Sequence, residues 1–170
     1  MKYDYKQLYQ KNADFYNRRP KAKKALFIAN LALPALYALA YLGLVLYAVF
    51  SNFDNKEFIG ILFIPAFTLL CVMAIRLIVD RERPYSEKGA NIVPLLVKKS
   101  KDKESFPSRH TASATVIALT ILPYCLGAGI CLLAFIPLLC YIRFALGLHY
   151  PSDLLAGSSL GALCALLYLL

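Results

Sequence analysis

The 170-residue chain contains two histidines, His110 and His149, and both sit among arginines. Arg76 precedes Arg83 by seven positions, with Pro84 next. Pro107-Ser108-Arg109-His110 follows, and then Arg143 stands six positions before His149 and ten before Asp153. Three guanidiniums present planar forks of donors that match phosphate oxygens. A phosphate monoester carries about two negative charges near neutral pH, more than one cation neutralises. Two imidazoles are enough for a two-step phosphoryl transfer. One attacks phosphorus as a neutral ring and becomes a phosphohistidine, and the other gives a proton to the leaving oxygen. Asp153 lies one helical turn beyond His149, so its carboxylate can accept from one ring nitrogen and leave the other free to attack. His110, on a neighbouring helix, is then the acid. Ser108 occupies a helix N-cap position, whose first-turn N–H groups make an anion site. Pro151 suits the first turn of the next helix. No acidic cluster is present to hold a metal, so charge neutralisation falls to the arginines.

The elements that must position these residues are apolar. Hydrophobic residues make up 59% of the chain and the mean hydropathy is +0.57, above the roughly 45–50% apolar content of soluble domains. Long apolar runs alternate with short charged stretches. This pattern excludes a disordered chain, a small disulfide scaffold and an ordinary soluble enzyme. The expected fold is all-α, a polytopic transmembrane helical bundle of about five spans. The spans are placed at 25–50, 58–79, 109–124, 128–148 and 152–170, with one long hydrophilic loop at 80–108. Residues 1–24 read as an amphipathic interfacial segment and 25–170 as the membrane domain. Within the first segment, Tyr5, Leu8, Tyr9, Phe15 and Tyr16 recur at helical spacing until Pro20, as in a helix lying in the headgroup layer. In this topology span two ends, span three begins, span four ends and span five begins on one face. The ionisable residues sit at those four ends and must converge. A charge within a span is costly and by default functional, although any one arginine could simply snorkel to the headgroups.

The three clusters resemble the ordered motifs of the type 2 phosphatidic acid phosphatase superfamily, which includes membrane lipid phosphatases and vanadium haloperoxidases. The family pattern K-x6-R-P matches Arg76 to Pro84, P-S-G-H matches Pro107 to His110, and S-R-x5-H-x3-D matches Ile142 to Asp153. The resemblance implies that His149 is the nucleophile, oriented by Asp153, and that His110 protonates the leaving group. It implies that Arg76, Arg83 and Arg143, with Ser108 and the Arg109 amide, hold the phosphate. Three positions depart from the pattern. Arg76 replaces lysine, Arg109 replaces glycine and Ile142 replaces serine, which bears on substrate preference more than on activity. The family's six-helix arrangement implies that its first span is reduced or absent here.

The expected function is therefore an integral membrane phosphatase. Its substrate is a lipid phosphate or pyrophosphate: phosphatidic acid, phosphatidylglycerophosphate or a polyprenyl pyrophosphate. The alternative is a non-catalytic protein that binds or transports a phospholipid head group, and a haloperoxidase is disfavoured because the chain has no soluble domain. No cofactor or metal is expected, and the partners are the lipid substrate and membrane lipids rather than nucleic acid. Gly157-x-x-x-Gly161 permits close helix approach, within the bundle or at a homodimer seam. Cys71, Cys125, Cys131, Cys140 and Cys164 lack metal or disulfide spacing and read as small buried hydrophobes. Residues 1–24 hold eight of the 19 Lys and Arg residues and 80–109 hold another eight. Those cations fit an anionic bacterial plasma-membrane surface, and the Lys98–Lys103 run either gathers anionic lipid or is a plain solvated loop. The charge pattern places the motif face in the cytoplasm, whereas the family resemblance implies an extracytoplasmic site.

Overall fold

The computed structural model of the chain describes residues 5–51, 53–86, 88–95 and 103–167. Six helices follow one another: α1 (Tyr5–Asn17), α2 (Pro20–Phe50), α3 (Asn55–Val79), α4 (Arg109–Ile121), α5 (Leu126–Ala145) and α6 (Pro151–Leu166). The described residues contain no strand. The boundaries follow local chemistry. Pro20 opens α2 because the first helical position needs no N–H donor. The helix therefore starts five residues before the apolar run at 25, and Lys21, Lys23 and Lys24 are carried within it. The Asp54 carboxylate accepts from the Lys56 amide at the start of α3. Asp80 ends that helix in the left-handed conformation (φ 36°), its N–H bonded to the Arg76 carbonyl.

Three helices, α2, α3 and α5, are long and apolar enough to cross a membrane. The other two of the bundle, α4 and α6, have 13 and 16 residues, fewer than the roughly 20 of a full straight crossing. The outer surface is apolar: Leu31, Phe50, Leu77 and Ile78 are each more than three-quarters exposed. Water tolerates few such faces, whereas acyl chains cover them at no cost.

The centre of the bundle is the contact between α4 and α6. A Cβ on Gly157 would overlap Thr111 Oγ1 and the Ser108 carbonyl, and one on Gly161 would overlap the Ala112 carbonyl. The small residues thus serve packing inside the bundle. Helix α1 is amphipathic as expected, but its tyrosine face turns onto protein. Asn12 Nδ2 donates to the Ala145 carbonyl at 3.0 Å, Tyr16 and Tyr141 share a hydroxyl bond of 3.1 Å, and the Leu95 amide donates to the Tyr9 hydroxyl at 2.9 Å. Leu8 and Phe15 stay on the outside. The expectation of buried cysteines is corrected. Cys164 is buried, but Cys125 and Cys131 are exposed; an outward face that is apolar anyway can carry a thiol. None of the five is in a disulfide.

Candidate active site

The four helix ends meet, as the topology requires. Arg76, in the last turn of α3, donates twice to the Pro107 carbonyl, from Nε at 3.0 Å and Nη2 at 2.7 Å. This fork pins the residue that precedes Ser108, so α3 fixes where α4 begins. The Ser108 amide donates to the Asp153 carbonyl at 2.9 Å and ties the start of α4 to the first turn of α6. Ser108 stands directly before α4 as expected, but its hydroxyl does not cap the helix. It is buried and has no protein partner.

His149 lies in the link between α5 and α6 and is 3% exposed. Its Nδ1 is 2.9 Å from the Ser105 carbonyl, while Asp153 Oδ2 is 3.7 Å away, too far for a hydrogen bond. A carbonyl only accepts, so Nδ1 carries the proton and Nε2 keeps its lone pair. The direct hydrogen bond expected between Asp153 and His149 is thereby replaced by a 3.7 Å charge contact and a two-step path through Ser105. Asp153, fully buried, accepts from the Ser105 hydroxyl, from the Tyr150 amide at 3.0 Å and from Arg81 Nη1 at 2.7 Å. It therefore holds the loop residue that holds the imidazole. Burial pushes the His149 imidazole below its ordinary value of 6.5, against a smaller upward pull from Asp153, and Arg83 and Arg143 push it the same way as burial. The ring is neutral at neutral pH, the form that can attack.

The remaining residues surround this ring. Arg83 is half-buried, within 3.4 Å of the Leu148 carbonyl from Nη1 and 3.3 Å of the Lys103 carbonyl from Nε. It shares the electrostatic neighbourhood of Arg143, Arg76 and His149. Arg143, in the last turn of α5, is 6% exposed. Ile142 beside it is fully packed in the apolar core. His110 is half-buried in the first turn of α4, within electrostatic range of Arg143, His149, Arg109 and Arg76. Arg109 is exposed beside it. The two imidazoles thus lie within electrostatic range of each other.

The cluster leaves a specific deficit. Among the described residues, six buried side-chain polar atoms lack a partner, and three of them are Arg76 Nη1, Arg143 Nε and Ser108 Oγ. Buried polar groups are nearly always satisfied. Here the unsatisfied donors are those of the sequence-identified phosphate ligands. Among the described residues no group of His, Cys, Asp and Glu is arranged to hold a metal ion.

A family model described as the PAP2 superfamily matches residues 57–170. The chain belongs to the PAP2 superfamily. This PAP2 protein is 31% identical over 128 residues to the lipid A 4'-phosphatase of Bacteroides thetaiotaomicron, a match that takes in 69% of this chain and 56% of that one. The chain thus spans little more than half the length of that relative. Its fold is that of the crystal structure of Aquifex aeolicus LpxE, with a TM-score of 0.70, 19% identity and coverage of 96% of this chain and 93% of that one. A second match is the transmembrane PAP2-type phosphatidylglycerolphosphate phosphatase of Bacillus subtilis, with a TM-score of 0.58, 24% identity and coverage of 95% and 90%. With its apolar helices and transmembrane relatives, this PAP2 chain is an integral membrane protein.

Sequence reasoning missed two contributors. Ser105 acts largely through its backbone carbonyl, which has no sequence signature. Arg81 was counted among the loop cations, yet it pairs with Asp153, bonds Ser152 Oγ at 2.8 Å and stacks 4.4 Å from the Tyr150 ring centre. Its position two residues before Arg83 was the available signal. Of the Lys98–Lys103 run, residues 98–102 lie outside the described residues, and Lys103 forms a 2.6 Å surface pair with Asp80.

Proposed function

We propose that the protein is a lipid phosphatase that works through a phosphohistidine. The observation that carries this reading is the trio of buried, unpartnered donors on Arg76, Arg143 and Ser108 beside a neutral, oriented imidazole. A phosphate dianion supplies the missing acceptors, and Arg83 and the Arg109 amide complete the cradle. His149 Nε2 attacks phosphorus, the bond from phosphorus to the lipid oxygen breaks, and His110 gives its proton to that oxygen. Water then gives a proton to the now neutral His110 and attacks the phosphohistidine, the bond from phosphorus to Nε2 breaks, and phosphate leaves with both rings restored. The dianion brings negative charge against His110 and favours the imidazolium that donates. Asp153 offsets the positive charge that develops on His149 as it bonds to phosphorus. The substrate is a phosphorylated membrane lipid, consistent with the lipid A and phosphatidylglycerolphosphate substrates in the names of the two relatives.

The chain crosses the bilayer five times, with the bilayer locally thinned around the short α4 and α6, α1 as an interfacial segment and 25–170 as the membrane domain. Helix α1 packs at the same end as the site, as the two crossings between them, α2 and α3, demand. The two cationic stretches then share that end, which supports a cytoplasmic site. Labelling of a single thiol introduced into the 86–95 segment of intact cells tests the side.

The activity test is phosphate release from lipid phosphates by purified protein in detergent. His149→Ala is expected to abolish release, at least about 10³-fold, because no second nucleophile is available. Equal release by the variant refutes the proposal. Head-group binding without release by the wild type points instead to a non-catalytic carrier.

A further inference from the structure

Arg109 has a side chain for which phosphate binding by its amide has no use. It is exposed at the start of α4, and among the described residues no carboxylate is paired with it. It lies within electrostatic range of two cationic or basic groups, Arg76 and His110. A guanidinium beside like charges is a natural partner for an arriving anion.

Its location says which part of a substrate that anion belongs to. Arg109 and His110 line one cleft of about 350 Å³ between α2, α4 and α5. Apart from Ser113 and Tyr37, its other walls are apolar: Pro34, Ala38, Ala114, Ile117 and Leu139. His149 is not among the lining residues. Phosphoryl transfer proceeds with attacking and leaving atoms roughly in line. With His149 on the buried side of phosphorus and His110 protonating the leaving oxygen, the leaving group occupies this cleft. Its apolar walls take the hydrocarbon, and Arg109 stands at its polar end next to the acid.

We infer that Arg109 is a specificity-determining residue that selects lipids whose leaving group bears a negative charge of its own close to the scissile phosphate. This rests on the phosphatase reading above. The shared chemistry is a phosphate oxygen within reach of one guanidinium. It comes from two sources: the phosphodiester of a phosphatidylglycerophosphate, or the second phosphoryl of a polyprenyl pyrophosphate. Phosphatidic acid, which leaves as a neutral diacylglycerol, lacks it.

The test compares kcat/KM on these three substrates for the wild type, Arg109→Gln and Arg109→Lys, with His149→Ala as control. The wild type is expected to prefer at least one anionic-leaving-group substrate over phosphatidic acid. Arg109→Gln should lower that preference about tenfold or more, the scale of one charge-assisted hydrogen bond, and Arg109→Lys should restore part of it. Added salt should erode the preference in the wild type, an arm that needs no variant. A fall confined to the pyrophosphate assigns the second phosphoryl, one confined to phosphatidylglycerophosphate assigns the phosphodiester, and a fall on both assigns charge alone. An unchanged preference in Arg109→Gln, or a wild type with no preference, overturns the inference and leaves Arg109 as a surface cation facing headgroups. That result leaves the phosphatase reading standing, which fails separately if His149→Ala releases phosphate as the wild type does.

Discussion

Replacing Asp153 with asparagine separates two ways of holding a nucleophilic imidazole. In a triad whose carboxylate holds the ring directly, this change costs about 10⁴-fold in kcat by admitting the wrong tautomer. Here Nδ1 is held by the Ser105 carbonyl at 2.9 Å, and that bond survives the substitution. What is lost is a negative charge 3.7 Å from the ring as the imidazole becomes cationic. At an effective dielectric constant of about 20 that charge is worth roughly 4 kcal/mol. Arg81 lies 2.7 Å from the other oxygen and cancels part of it. A residual of about 1.5–3 kcal/mol corresponds to a kcat loss of roughly 10- to 100-fold. Stability falls too, because a neutral amide cannot accept from Ser105, Tyr150 and Arg81 together. The loss is on the order of 1–2 kcal/mol, toward the lower end for a bond to a charged group because Arg81 is partly solvated. Steady-state phosphate release in detergent gives kcat, thermal unfolding gives the stability change, and nitrogen NMR of His149 reports the tautomer. A loss near 10⁴-fold with the proton moved to Nε2 would refute the carbonyl-held ring.

Two further outcomes test the packing and the buried imidazole. Gly157→Ala should destabilise the protein by about 1–3 kcal/mol and lower kcat as well, since the new methyl group meets Thr111 and the Ser108 carbonyl at the start of α4; an unchanged melting temperature would show that α6 does not approach α4 this closely. Because burial depresses the folded-state value of His149 below 6.5, the unfolded chain takes up a proton that the folded chain refuses. Stability should therefore fall as pH drops through 6.5 and be flat above it as far as this group is concerned, and His149→Gln should flatten the acid side in thermal unfolding between about pH 5 and 7.

The site was legible in the sequence because its residues are of types that apolar helices do not otherwise carry. Arg76 and Arg143 stand out against the runs around them, and alternating spans bring their ends to one face. The helix order and the start of α6 at Pro151 were readable from periodicity and from proline's tolerance of a first turn. The start of α2 was not, because three lysines look like a boundary while helix formation accepts them. The Ser105 carbonyl was invisible, since every residue has one and only the turn after residue 103 aims it. The docking of α1 was hidden for a different reason. Tyrosines at helical spacing satisfy a lipid–water boundary and a protein groove equally well, and only the link after α5 decides between them.

That docking has a consequence for biogenesis. Asn12 meets Ala145 across 133 positions of sequence, and Tyr5 reaches the carbonyl of His149 across 144. At ribosomal rates of about 5–20 residues per second, the first helix emerges on the order of ten seconds before the segment that will cover it. During that interval Tyr5 lacks Phe144 and Tyr150, and Tyr16 lacks Tyr141; the nearby leaflet is their natural shelter. The candidate site is completed only once the link between α5 and α6 has emerged and α1 can close over it.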